Sequence, residues 1–126
     1  MTQVVERDPL TRRIIGAAMN VHSEFGAGLL ESVYQNALCI ELRTQGIRFQ
    51  AQHAIDIKYR DQHVGHLIAD IVVEGRVILE IKSVEKLQPV HTAQLITYLK
   101  ATGISTGLLI NFNVRHLREG IKRVVN

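Results

Sequence analysis

The stretch LIADIVVEGRVILEIK, residues 67–82, decides the fold. Two short apolar runs flank Glu74-Gly75-Arg76, and each is interrupted by one acid, Asp70 in the first and Glu80 in the second. Runs this short, rich in Val and Ile and broken by Gly, read as neighbouring strands, over Val64–Val73 and Val77–Ser83. Their near-continuous apolar character predicts central positions in a sheet covered on both sides. A carboxylate inside such a run is strongly desolvated, and persists only when paired, hydrogen-bonded or metal-bound. Lys82 lies two residues beyond Glu80, so strand period puts both side chains on one face.

Register decides whether the two acids meet. A two-residue Glu74-Gly75 hairpin would pair Val73 with Arg76 and set Asp70 opposite Leu79, leaving the acids on opposite faces. A three-residue loop, Glu74-Gly75-Arg76, or a bulge would put them on one face, and Gly75 suits either. A buried ion pair with Lys82 or an arginine is the structural alternative to a chemical site. Two acids and one lysine leave a net negative charge, however, and carboxylates ~4 Å apart repel by ~4 kcal/mol at an effective dielectric near ~20. A divalent cation relieves that repulsion. Oxygen donors without Cys or a usable His pair favour Mg²⁺ or Mn²⁺ over zinc. His63 and His66, the closest pair of histidines, have an odd separation that points them to opposite faces of a strand.

Upstream, Asp8 and Pro9 start a helix running to Phe25, with Leu10, Ile14, Ala18 and Val21 at helical spacing and Gly26 at its end. A second helix is predicted from Leu29 to Gln45. Its apolar members form two stripes, Leu30, Val33, Ala37, Ile40 and Tyr34, Leu38, Leu42. Glu31 heads the second stripe where an apolar residue would fit. With Gly28 as N-cap, Glu31 reaches back to the cap amide; alternatively it joins the acidic site. From Phe49 to Tyr59 the period changes to two, a half-buried strand, with Asp61-Gln62 as the turn that follows. Downstream, Pro89 opens a helix to about Ala101, Thr106–Phe112 reads as a buried strand, and Ile121–Val125 as an edge strand rather than helix because Gly120 interrupts the helical pattern. The order is α-α-β-β-β-α-β plus a short C-terminal element, an α/β fold with a mixed central sheet of four or more strands flanked by helices.

Composition sets the outer limits. The 126 residues, 46% hydrophobic and 21% charged, suit one domain over 1–126 and exclude disordered and low-complexity classes. Cys39 alone can form neither an internal disulfide nor a Cys-based zinc cluster. No apolar run approaches a membrane span, and Met1–Pro9 has no apolar signal region, so a cytoplasmic protein without membrane contact is expected. The net charge of +3 equals that of residues 115–126 alone, through Arg115, Arg118, Lys122 and Arg123 against Glu119. Such a basic tail suits a phosphate-bearing partner, or is simply a solvated face.

Gly28-Leu29-Leu30-Glu31-Ser32-Val33-Tyr34 resembles the signature of the GxxExxY family of small bacterial and archaeal proteins. Ile68-Ala69-Asp70 followed by Glu80-Ile81-Lys82 resembles the Asp…Glu-x-Lys core of the PD-(D/E)XK nuclease superfamily, with Ala69 where the superfamily's name has Pro. Gln94-Leu95-Ile96-Thr97-Tyr98 is similar to the Gln-x-x-x-Tyr helix of RecB-like exonucleases. The likeness runs from Pro9 to the C-terminus and includes Pro89–Leu95 and Leu108–Phe112. It implies a restriction-endonuclease-like core and a Mg²⁺- or Mn²⁺-dependent nuclease. Asp70, Glu80 and Glu31 would then be metal ligands, Lys82 the group that positions water, and Gln94 a holder of water or phosphate. Lys86 and the basic tail would track a phosphate backbone, with Tyr98 read as a core residue. The implied partner is nucleic acid, DNA ahead of RNA, with a homodimer possible. No sequence-reading element is present, so structure or ends would be recognised. The competing functions are an inactive binding or partner module on the same fold and a hydrolase of phosphorylated small molecules.

Overall fold

Asp8 caps the first helix, α1 (Pro9–Phe25), accepting the Leu10 amide at 3.1 Å and the Thr11 hydroxyl at 2.8 Å. The computed structural model describes residues 8–126. After α1 come α2 (Glu31–Thr44), β1 (Phe49–Tyr59), β2 (Gln62–Val73), β3 (Val77–Lys82), α3 (Pro89–Thr102), β4 (Thr106–Asn111), a 3-10 turn (Leu117–Gly120) and β5 (Ile121–Val125). The α/β order matches the sequence reading, including the C-terminal strand, and the 3-10 turn is an addition to it. Among the described residues no helix is long and apolar enough to cross a membrane.

The strands form one sheet in the order β1-β2-β3-β4-β5, antiparallel except for the parallel β3–β4 pair that α3 connects. Side-chain alternation on β3 and β4 sorts the core into two layers. Val77, Leu79, Ile81, Leu108 and Ile110 face α1 and α2, while Ile78 and Leu109 face Leu95, Tyr98 and Leu99 of α3. β3 is covered on both sides, as expected of a central strand. In β2 this holds only for the last residues. Residues 62–68 are largely exposed and pair with β1 alone, forming a two-stranded arm beyond the sheet.

Two boundaries depart from expectation for local reasons, and the loop between the acids takes one of its two open alternatives. The hairpin turn is Arg60-Asp61, not Asp61-Gln62, and both residues have positive φ (51° and 62°), as a tight hairpin twist requires. The Glu74-Gly75-Arg76 loop has three residues, and Val73 pairs with Val77 and Ile71 with Leu79. Helix α2 starts at Glu31 with Leu30 as N-cap, two residues later than the sequence suggested. Of its two apolar stripes, Tyr34, Leu38 and Leu42 are buried, whereas Leu30 and Ile40 stay exposed.

Gly120 has a reason beyond helix breaking. A Cβ there would meet the carbonyl oxygen of Asn111 at 2.1 Å, so the turn before β5 lies directly on the end of β4. Gly120→Ala is therefore expected to lower the unfolding free energy by about 2 kcal/mol or more in urea titration. Gly16, inside α1 with open space around it, is the control. Gly16→Ala should stabilise by ~0.5–1 kcal/mol.

Candidate functional site at the β2–β3 fork

The register ends at Ile71 and Leu79, and extended by one step it sets Asp70 opposite Glu80 on one face of the sheet. Here the ladder stops and the side chains take over its hydrogen bonds. The Asp70 amide donates to Glu80 Oε2 at 3.0 Å, and the Ile81 amide donates to Asp70 Oδ2 at 2.7 Å. Each strand's carboxylate thus holds the other strand's backbone, and β2 and β3 part at this point. The alternation of β2 slips at the same place: Ile71 packs with the α1–α2 layer but Ala69 with the α3 layer, though a regular strand would keep them together.

Glu80 is only 3% exposed, and Asp70 is half-buried. Burial, then the neighbouring Asp70 and Glu31 charges, pushes the Glu80 carboxyl up to about 7 against the opposing effects of the Asp70 amide and Lys82. Asp70 is also raised, by burial first and by Glu31, with the Ile81 amide and Lys82 acting against this. Lys82 is half-buried and influences both acids, yet among the described residues no lysine or arginine lies within ion-pair distance of either. The ion-pair alternative is not what holds them. One oxygen of each carboxylate is engaged by backbone amide, leaving Oδ1 and Oε1 for another partner.

Glu31 does not fold back on its own helix. As the first residue of α2 it accepts the Ser83 amide at 3.1 Å, directly after Lys82, while the Ser83 hydroxyl donates to the Leu29 carbonyl at 2.6 Å. Tyr34 holds the loop that makes this reach possible. Its hydroxyl donates to the Gly26 carbonyl at 2.5 Å and accepts the Leu29 amide at 3.1 Å, and its ring stacks on Phe112 at 4.5 Å. Gly28, with φ +102°, supplies the backbone conformation the loop needs. Gln35 adds a second tie, donating to the Asp70 carbonyl at 3.3 Å.

The other expected residues divide. Gln94 is exposed on α3, one turn before Tyr98, and makes no hydrogen bond to the three acids. Tyr98, read as core, is 3% exposed, and its hydroxyl is pushed up to about 12 by burial, then by Glu80 and Asp70. It is packed in the α3 layer, near enough for both carboxylate charges to act on it. His63 bonds to Asp56 far out on the β1–β2 arm and His66 is exposed. Asn111 and Ser83 were not singled out by sequence reading. Asn111, buried at the end of β4, accepts the Val84 amide at 3.1 Å and donates to the Val84 carbonyl at 2.9 Å, fixing the chain after Lys82. An amide closing the apolar run Leu108–Ile110 was the available signal; Ser83 had none.

Among the described residues no three Asp, Glu, His or Cys side chains stand close enough together to enclose a metal ion. The donor set is instead two adjacent carboxylates, with Glu31 on the far side of Ser83. Two hard-oxygen carboxylates with excess negative charge and no ion-pair partner fit an ion that keeps much of its water, as Mg²⁺ does.

A family model described as the PD-(D/E)XK nuclease superfamily matches residues 8–124. No curated protein and no solved structure matches the chain.

Because Glu80 ordinarily titrates near 4.5, folding makes it bind a proton more tightly, and stability from this group is full below that value and lost as pH rises to about 7. Thermal melts in chelator should therefore show falling stability between pH 5 and pH 8, by up to roughly 3 kcal/mol. Glu80→Gln should flatten that slope. Tyr34→Phe, which strands the Gly26 carbonyl and the Leu29 amide, is expected to cost about 1–3 kcal/mol by urea titration.

Proposed function

The chain belongs to the PD-(D/E)XK nuclease superfamily, and on that premise we propose that it is a metal-dependent nuclease hydrolysing phosphodiester bonds at the β2–β3 fork. The observation that carries this reading is the facing pair of half-buried Asp70 and buried Glu80, mutually hydrogen-bonded through backbone amides and beside Lys82 without an ion pair. That arrangement concentrates negative charge where a structural role would neutralise it. Gly28, Glu31 and Tyr34 support a finer assignment to the GxxExxY family, since the three residues act together on one loop.

Asp70 and Glu80 would hold Mg²⁺ or Mn²⁺ through Oδ1 and Oε1, with the Ile81 carbonyl as a further oxygen donor. The bound ion supplies Lewis-acid polarisation of the phosphoryl group and a lowered pKa for water. Lys82, on the face of β3 that carries Glu80, holds the attacking water and offsets the charge that grows on the phosphoryl oxygens. Glu31, fixed by Ser83, adds a carboxylate at the rim for a second ion or for water. Gln94 sits one turn ahead of Tyr98, where its amide can hold water or phosphate. DNA is the first substrate to test and RNA the second, for an enzyme acting in the cytoplasm as a single domain or a homodimer of such domains. The absence of an enclosing three-ligand cage among the described residues favours one second reading, an inert binding module.

Melting with and without Mg²⁺ or Mn²⁺ separates the two. The nuclease reading expects stabilisation of about 2.7 kcal/mol at a hundredfold excess of metal over Kd, larger at pH 8 than at pH 6 because binding displaces protons. Asp70→Asn should abolish the shift. Lys82→Ala should keep it while losing cleavage of labelled DNA or RNA. A wild type with neither shift nor cleavage would be the inert module.

A further inference from the structure

The basic C-terminal segment is split by the fold. Lys122 and Arg123 lie on β5, whereas Arg115 and Arg118 line a cavity of about 570 Å³ between the end of α1 and the 3-10 turn, together with His22, His116, Gly26 and Glu119. We propose that this cavity is a second phosphate subsite, taking a backbone phosphate of the nucleic acid a few nucleotides from the one at Lys82. The inference rests on the nuclease reading above and names how that site's substrate lies.

Three observations support it. First, both arginines are exposed, and among the described residues neither is in an ion pair, so their donors are not consumed by Glu119. Two guanidiniums beside one carboxylate leave the cavity positive, and guanidinium matches phosphate geometry in a bidentate way. Second, the loop that carries Arg115 leaves β4 beside the chain that leaves the acidic site on β3. β3 and β4 are parallel, so the chain leaving Lys82 and the chain leaving Asn111 emerge side by side, and Asn113 donates to the Val84 carbonyl at 3.3 Å. Arg115 follows two residues later. Third, one wall is tied to the site and the two walls are tied to each other. Gly26 accepts the Tyr34 hydroxyl that positions the Glu31 loop, and the Val114 carbonyl accepts His22 Nε2 at 2.8 Å. That last bond fixes the proton on Nε2, because a carbonyl only accepts.

The cavity's α1 wall belongs to the α1–α2 side of the sheet and Lys82, by strand alternation, to the α3 side, so a nucleic-acid strand joining them would pass over the ends of β3 and β4. The cations also lie near the C-terminal end of α1, where they would favour its free carbonyls whether or not a phosphate binds. That is the alternative the test must exclude.

The test uses the full chain in chelator and a fluorescent DNA 20-mer, single-stranded and duplex, in which single phosphates are replaced by neutral methylphosphonates. Wild type should lose several-fold affinity at two separated positions. The double variant Arg115→Gln/Arg118→Gln should lose sensitivity at one of them, and its slope of log affinity against log salt should shrink by about 1. Its Mg²⁺ melting shift should match wild type, showing an intact fork. A double variant with the wild-type slope and profile overturns the subsite. So does one that only melts earlier, which would assign the arginines to α1. Wild type that binds these DNAs in chelator but never cleaves them once Mg²⁺ or Mn²⁺ is added in excess sinks the nuclease reading while the slope still decides the subsite. Wild type that binds neither DNA form overturns the subsite.

Discussion

The exchange of backbone amides between Asp70 and Glu80 is the constraint on which the rest of the structure depends. A regular antiparallel ladder would have continued past Ile71 and Leu79 and left no place for chemistry. Instead each carboxylate replaces one ladder bond, so β2 and β3 separate without orphaning the amides of Asp70 and Ile81. The separation frees β2 to continue as an arm with β1 while β3 stays between β2 and β4. It also concentrates charge: Glu80 is 3% exposed, Asp70 faces it, and Glu31 arrives from another element to add to the field. An apolar isostere at either position would pack more cheaply, which is why the pair is better explained by what it binds than by what it stabilises.

Around that fork the molecule is built to fix positions. Tyr34 ties the loop before α2, Ser83 receives Glu31, and Asn111 holds Val84. These three contacts come from helix, strand end and neighbouring strand, and all of them bear on the few residues after Glu80. Tyr98 closes the underside from α3. None of these side chains needs to touch a substrate to matter, because a carboxylate displaced by an ångström would lose its geometry.

Much of this was legible in the sequence, and the rest was not, for definite reasons. Hydrophobic periodicity with Asp8, Pro9 and Gly26 set α1 to the residue, and acids inside apolar runs identified Asp70 and Glu80. The parity of the Glu74–Arg76 loop could not be read, because Gly75 serves a two-residue or three-residue turn equally well. It was decided by where Ile71 and Leu79 had to pack. The start of α2 was misplaced because Gly28 looked like a cap. A hydroxyl five residues beyond Leu29 took that loop's hydrogen bonds instead. Tyr98 was read as core since an aromatic on a helical stripe usually is, and it is core as well as neighbour to two acids. The basic tail read as one patch because charge spacing gives no hint of a turn resting on the Asn111 carbonyl.

The three-residue loop has a consequence for how such chains diverge. It lies at the opposite end of the hairpin from the carboxylates, exposed and free of any chemical role. Loss of a single codon there would leave a two-residue turn closing on the same Val73–Val77 pair, so Asp70 would still stand opposite Glu80. Descendants of one ancestor could thus carry turns of different length above an unmoved pair of acids.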